Sequence, residues 1–465
     1  MKIITVLLIV SSWSINIFSQ MEFTYHTIAI DPGATWWVYA TDLDNDGDKD
    51  VLTATFDDDQ IAWYENDGNE NFTIHIITDS ADGACSVCAI DLDGDEDLDV
   101  LSASTQDDKV AWYENDGKEH FITHIITTYA YGVNSIFTID VDGDEDIDVL
   151  SASIDDDKIA WYENDSKGNF TNHTITTNAN GAWSVFAKDL DGDEDTDILS
   201  ASAYDDKIAW YENDGNENFT MHTITNNADG ATSVFAIDVN KDGNIDVLSA
   251  SLIDNKIAWY KNDGNENFSE YVITTNTDGA SSVYAVDLDK DGDIDVISAS
   301  VYDDKIAWYE NDGSNNFTQD TIAIIGAVSI YLDDIDGDGD VDVLSAFQRC
   351  ILDCYSEIYW YENLLITGID NTSLNGIKYR FQLHNNYPNP FNPTTKIKYE
   401  ISKTSSVTLI VYDVLGNEIA ELVNEEKPTG SYEVQFDGSE LSSGVYFYVL
   451  KAGDFTDTKK FVFLK

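Results

Sequence analysis

Apolar residues in this chain come in short runs of five to seven, separated by polar, turn-rich stretches, and no helical period recurs anywhere. In one representative stretch the runs are Ser86 to Asp91, Val100 to Ser104, Lys109 to Asn115 and Phe121 to Thr127. An acidic loop follows the first run, an Asp-Asp-Lys turn the second, an Asn-Asp-Gly turn the third, and a Tyr-Gly or Asp-Gly turn leads onward. Runs this short, bounded by turn residues, predict β-strands, four to a unit. The tryptophan of the Trp-Tyr-Glu-Asn ending recurs at Trp63, Trp112, Trp161, Trp210, Trp259 and Trp308, a constant step of 49, and again at Trp360 after 52. Such a step marks an array whose unit cannot bury its own apolar face. Seven four-stranded units predict an all-β protein, a seven-bladed β-propeller over residues 20–363.

The fourth strand opens at Phe23, Phe72, Phe121, Phe170, Phe219, Phe268 and Phe317. Its first copy precedes any complete unit, and the seventh unit stops at Asn363 without one. The N-terminal strand is therefore expected to complete the last unit and close the ring, which removes two sheet edges.

Beyond Asn363 the repeat ends. Residues 364–376 read as a linker, and residues 377–465 hold all but one of the five prolines and nearly balanced charge, 10 basic against 11 acidic residues. Alternation at Lys396 to Ile401, Val407 to Val414, Ser431 to Phe436, Val445 to Leu450 and Lys459 to Leu464 predicts a small Ig-like β-sandwich.

Charge sharpens this picture. With 24 basic and 88 acidic residues the formal net charge is −64, which argues against nucleic acid and anionic membranes as partners and makes cations the natural counterpart. Residues 1–19 read as a secretory signal peptide, with Lys2, an apolar run from Ile3 to Val10 and Ser19 before the cut. No later run reaches membrane-spanning length. An exported setting favours a disulfide between Cys350 and Cys354. Cys85 and Cys88 sit three apart on a predicted strand, so their side chains are expected on opposite faces.

The acidic loops carry the candidate chemistry. Their first position is Asp42, Asp91, Asp140, Asp189, Asp238, Asp287 and Asp334; the third is Asp44, Asp93, Asp142, Asp191, Asn240, Asp289 and Asp336. The fifth is Asp46, Asp95, Asp144, Asp193, Asp242, Asp291 and Asp338; the seventh is Asp48, Asp97, Asp146, Asp195, Asn244, Asp293 and Asp340. The ninth is Asp50, Asp99, Asp148, Asp197, Asp246, Asp295 and Asp342. Oxygen ligands at positions 1, 3 and 5, a backbone carbonyl at 7 and a later carboxylate suit a seven-oxygen Ca²⁺ shell, up to one ion per blade. Two carboxylates 4 Å apart repel by about 4 kcal/mol at an effective dielectric near 20, so four in one loop strain against each other by up to ~20 kcal/mol without a cation. The fifth loop, with Asn240 and Asn244, is expected to bind most weakly. Gly47, Gly243, Gly292 and Gly339 at position 6 suit a sharp bend, whereas Glu96, Glu145 and Glu194 leave the geometry of loops two to four open.

The loop followed by Asp-Val-Leu-Ser-Ala, as in DLDNDGDKDVLTA and DIDGDGDVDVLSA, resembles the FG-GAP or VCBS repeats of integrin α-like propellers, over about residues 22–363. The resemblance implies seven blades with calcium in the loop joining strands one and two. The tail, with LHNNYPNPFNPTTKIKYEIS, VYDVLGNEIAELVN, GSYEVQFDGSELSSGVYFYVL and KKFVFLK, resembles the C-terminal sorting domain of the type IX secretion system of Bacteroidetes. That implies engagement of the type IX machinery, export across the outer membrane, trimming near the linker, and release or surface attachment.

His26, His75, His124, His173 and His222 fall one per unit on the fourth strand, too dispersed for a zinc site. One position just after each inter-unit turn varies: Trp36, Cys85, Asn134, Trp183, Thr232, Ser281 and Val328. Trp36, Asn134 and Trp183 are the expected ligand face, an exposed ring in which tryptophans beside carboxylates suit sugars. Asp57, Asp58, Asp107, Asp108, Asp155 and Asp156 could supply the paired carboxylates of a glycosidase, but their repetition favours a scaffold role. The sequence thus points to an exported calcium-binding module for glycans or cell-surface proteins, with a polysaccharide lyase or glycosidase and a purely structural module as alternatives.

Overall fold

The computed structural model describes residues 21–365, apart from 22, 32, 325 and 351–353, and residues 382–465, apart from 385, 387, 402, 415, 429, 440 and 454. The expected signal peptide and most of the expected linker lie outside the described residues. Among those described there is no helix, and no helix long and apolar enough to cross a membrane. The chain divides into two units, residues 1–365 and 366–465.

The first unit contains seven four-stranded antiparallel sheets, the repeated arrangement a propeller requires. In the second sheet the strands are Ala84–Ile90, Asp99–Ser104, Lys109–Asn115 and Phe121–Thr127, within two residues of the ranges the alternation predicts. The seventh sheet takes Ala327–Asp333, Asp342–Cys350 and Cys354–Asn363 from one end of the unit and Phe23–Asp31 from the other. Phe23 pairs with Asn363 and His26 with Trp360, so the N-terminal segment is the outer strand of the last sheet.

Second strands such as Asp99–Ser104 are buried at every residue because neighbouring sheets cover both of their faces. Each core cluster pools side chains from two adjacent sheets: Leu52, Ile61 and Trp63 of the first meet Val87 and Val100 of the second. Val38, Ala40 and Val51 of the first sheet likewise share a core with Leu344, Ile358 and Trp360 of the seventh. Within a sheet, the tyrosine of Trp-Tyr-Glu-Asn reaches across to the serine of the second strand, as in Ser102 Oγ to Tyr113 Oη at 3.0 Å, which satisfies two buried hydroxyls at once. Each repeated histidine stacks on its sheet's tryptophan, His75 on Trp63 at 4.6 Å, and its Nε2 lies 2.8 Å from Glu65. These histidines are packing groups.

In the second unit, Gln382–Leu383, Thr394–Ile401 and Gly430–Asp437 form one sheet. Glu418–Lys427, Ser405–Asp413, Gly444–Ala452 and Phe455–Phe463, in that order, form the other, and both sheets contribute to one core around Ile397, Leu409, Tyr448 and Phe461. Glu418–Lys427 is absent from the strands the sequence predicts. It is an edge strand that buries only Val423, so its alternation is drowned by charge.

Candidate metal centres and central cavity

The acidic loops share a core of internal bonds. The position 1 carboxylate accepts the N–H of position 6 in all seven: Gly47 to Asp42 at 3.0 Å, Glu96 to Asp91 at 3.0 Å, Glu145 to Asp140 at 3.0 Å, Glu194 to Asp189 at 3.1 Å, Gly243 to Asp238 at 2.8 Å, Gly292 to Asp287 at 3.1 Å and Gly339 to Asp334 at 2.8 Å. Position 3 accepts from the N–H of position 5 in six loops, as in Asp46 to Asp44, whereas in loop two Asp95 N donates to Asp91; position 5 accepts from that of position 7, as in Asp48 to Asp46. The question left by glutamate at position 6 is answered by the backbone. Glu96, Glu145 and Glu194 adopt φ of 75°, 75° and 77°, the same left-handed region that Gly47 occupies at 98°.

The ninth position is more than a ligand candidate. Asp99 is fully buried; one oxygen accepts the N–H of Leu92 at 3.1 Å and the other that of Asn115 at 2.8 Å. The same pair of bonds holds Asp50, Asp148, Asp197 and Asp342. Burial pushes these acids up, to about 7 for Asp50, Asp99, Asp197 and Asp295, about 6 for Asp148 and Asp246, and about 8 for Asp342. Burial and then the neighbouring carboxylates also raise Asp44, Asp93, Asp142 and Asp191 at position 3.

The structure brings positions 1, 3 and 9 together in loops one to four: Asp42 with Asp44 and Asp50, Asp91 with Asp93 and Asp99, Asp140 with Asp142 and Asp148, Asp189 with Asp191 and Asp197. In loop six the converging set is Asp287, Asp289 and Asp291, positions 1, 3 and 5. In each set the facing oxygens lie within 4.8 Å of one another. Asp42 Oδ1, Asp93 Oδ1 and Asp287 Oδ1 are buried oxygens with no hydrogen-bond donor among the described residues. Anionic oxygens held close and undonated are a donor set that fits a hard divalent cation. Position 7 side chains turn elsewhere. Asp48, Asp97, Asp195 and Asp293 cover Gly68, Gly117, Gly215 and Gly313, where an added Cβ would lie 2.2 to 2.5 Å from a carboxylate oxygen.

Two contributors to this region went unrecognised in the sequence. The glutamate of Trp-Tyr-Glu-Asn adds a further negative charge beside position 3, Glu65 beside Asp44 and Glu114 beside Asp93. The asparagine that follows ties neighbouring loops together: Asn213 Nδ2 donates to Thr196 O in its own unit and to Val141 O in the preceding one, at 3.2 and 3.1 Å. Its recurrence was the available signal, but only the strand pairing shows which loop it reaches.

The structure gives the expected ligand face a different setting. Trp36, Asn134 and Trp183, with the other variable residues of their ring, are not exposed; they line a cavity of about 770 Å³ framed by the first strands of the sheets. Each is the extra residue of a β-bulge, Trp36 between Thr35 and Trp37 and Cys85 between Ala84 and Ser86. A bulge shifts side-chain parity by one and re-aims the residue. For the same reason Cys85 and Cys88, expected on opposite faces, line the same cavity, both as free thiols.

The polar members of the ring are spent on the backbone: Thr232 Oγ1 donates to Ala250 O and Ala280 O, and Ser281 Oγ to Ala299 O and Ala327 O. Among the described residues, the carboxylates on the wall are Asp333 and Asp334. Trp36 stacks on Phe56 at 4.9 Å. Phe137, Phe186, Phe235 and Tyr284, also on the wall, pack ring on ring from one sheet to the next. Tyr204, Ile253 and Tyr302, equivalent residues of three consecutive turns, are 65%, 63% and 65% exposed, and Leu252 and Val301 beside the last two line the cavity.

The Asp-Asp-Lys carboxylates are scaffold. Asp107 pairs with Lys109 at 2.7 Å and Asp156 with Lys158 at 2.8 Å, while Asp108 accepts from Gly132 N at 2.9 Å. The side chains of Cys350 and Cys354 lie outside the described residues; the backbone places the two opposite each other across the strand pair.

The geometry can be set against known proteins. The model of a secretion-system C-terminal sorting domain matches residues 385–464, and this tail directs type IX export to the cell surface or the medium. No curated protein matches the chain. Among solved structures, a functionally unknown protein from Desulfotomaculum acetoxidans DSM 771 is 12% identical with a TM-score of 0.45, covering 81% of this chain and 96% of its own. An ancestral GH74 enzyme, also 12% identical at a TM-score of 0.45, covers 92% of this chain, which spans 59% of that enzyme. The FG-GAP-like repeat model matches six times in overlapping register, at residues 42–102, 91–151, 140–200, 189–249, 238–298 and 287–345. These matches span well over half of the sequence, and the chain belongs to the FG-GAP-like repeat family.

Proposed function

We propose that this chain is an exported, calcium-stabilised β-propeller of seven blades that acts as a binding module for glycans or cell-surface proteins. The pairing of Phe23–Asp31 with Cys354–Asn363, and the core shared by the first and last sheets, support a closed ring. The two sheets of the tail support an Ig-like sandwich as the sorting domain. Calcium would be held by the side chains at positions 1, 3, 5 and 9 and the carbonyl at position 7, where it neutralises a loop that is otherwise all acid.

The observation that carries the binding role is the cavity with Trp36 and Trp183 in its wall and Tyr204, Ile253 and Tyr302 projecting into solvent on the turns beside it. Exposed tyrosines on two of these three consecutive turns, with the apolar Ile253 between them, offer stacking surfaces for the apolar faces of sugar rings. A glycan array probed with the mature protein tests this. Tyr204→Ala with Tyr302→Ala should abolish the signal and leave the melting temperature nearly unchanged, because both side chains are largely in water. Retained binding would remove this face from the account. Release of reducing ends from a bound polysaccharide would favour a glycosidase or lyase, and silence on every glycan would favour a protein partner or a structural role.

A further inference from the structure

The fifth acidic loop does not fit the ion that the other loops fit. It has aspartate at positions 1, 5 and 9 only, with Asn240 and Asn244 between them. The chain also changes where the third strand passes this loop: Glu65, Glu114, Glu163, Glu212, Glu310 and Glu362 stand in six units, and Lys261 in the fifth. Lys261 Nζ lies 3.0 Å from Asp242 Oδ2, a direct ion pair with the position 5 carboxylate. The other oxygen of Asp242 accepts from Asn244 N at 3.1 Å and Asn244 Nδ2 at 2.7 Å. Asn240 Nδ2 donates to Asp246 Oδ2 at 3.3 Å, an oxygen that also accepts from Val239 N at 3.3 Å. The backbone donors at positions 5 and 9 recur in the other loops, but here Lys261 Nζ, Asn244 Nδ2 and Asn240 Nδ2 also occupy oxygens that a cation would need.

The neighbouring lysines behave differently. Lys241 Nζ approaches Asp293 of loop six at 3.9 Å, and Lys290 Nζ pairs with Asp340 of loop seven at 2.5 Å. Both contacts are to position 7 side chains, which stand outside the expected ligand set because that position offers its carbonyl. Lys261, by contrast, takes a carboxylate of the set, the position 5 side chain of its own blade's loop. Loop two with Glu114 carries seven carboxylates and no cation, whereas loop five with Lys261 has three carboxylates and two ammonium groups. The electrostatic demand for a metal is largely gone.

We propose that the fifth blade binds no calcium and that the ammonium of Lys261 serves as its built-in cation. This rests on the calcium reading of the other loops. Native mass spectrometry of the mature protein in calcium-containing ammonium acetate counts the bound ions. Six per chain is the expected result, and Lys261→Glu with Asn240→Asp should raise the count to seven. Seven ions in the wild type, or no gain in the variant, would overturn the inference; no bound calcium at all would overturn the calcium reading and this inference with it.

Terbium luminescence gives a second test with a milder change, since each loop has its own tryptophan, with Trp259 beside Asp246 of the fifth. Trp259→Phe should leave sensitised emission unchanged, and Trp210→Phe should lower it by one loop's share. Equal losses from both would place an ion in loop five.

Discussion

Three glutamates hold a backbone conformation that four glycines hold elsewhere. A left-handed φ costs a side-chain-bearing residue about 1 to 2 kcal/mol, so Glu96, Glu145 and Glu194 each store strain that glycine would not. Glu145→Gly should therefore stabilise the protein by up to ~1 kcal/mol, the gain being reduced by the freedom glycine adds to the unfolded chain. Denaturant midpoints at fixed calcium check this, and a loss of stability would mean that the glutamate carboxylate has a role of its own. Asp99→Ala should act in the opposite direction and strongly. It strands the N–H groups of Leu92 and Asn115 in the interior, at about 1 to 3 kcal/mol each. The position 1, 3 and 5 aspartates were legible from the sequence because hydrogen-bonded turn residues and metal ligands share one spacing. The pair of hydrogen bonds that the ninth accepts was not legible, since one of them depends on a neighbouring strand, sixteen residues further on for Asn115 and Asp99.

At the scale of elements, the strands were almost fully readable, because two sides of packing impose either continuous burial or alternation. Bulges were not. A bulge inserts one residue without changing composition, so the ring containing Trp36 and Cys85 was assigned to an exposed face that it does not occupy. The highly charged strand Glu418–Lys427 was missed for the complementary reason, that a sheet edge needs little apolar surface. The turn glycines make a sharp prediction of their own. Gly117 has φ of 66° and lies under Asp97, so Gly117→Ala meets both strain and a clash. A loss of about 2 to 3 kcal/mol is expected in thermal unfolding; a neutral result would show that Asp97 swings aside freely.

For the whole molecule, charge is the governing quantity. In protein stripped of metal, the ninth-position acids have folded values near 7 against an ordinary 3.8, so the stability they give is complete below about 4 and lost as the pH rises through 7. Metal-free protein should thus melt at a higher temperature at pH 5 than at pH 8, and calcium should flatten or reverse that slope, because a bound cation holds the same acids ionised. Removing Phe23–Asp31 would bare the edge of Cys354–Asn363 and should produce a less stable, self-associating protein, visible by light scattering.

The most direct measurement is the melting temperature of the mature protein at low ionic strength with excess calcium and with excess chelator. A site saturated at a hundred times its Kd adds about 2.7 kcal/mol, so several sites together should lift the melting temperature by at least ~10 °C and slow proteolysis in parallel. Coincident melting curves and equal protease resistance in the two conditions would contradict the claim that divalent cations hold this acidic array of sheets together.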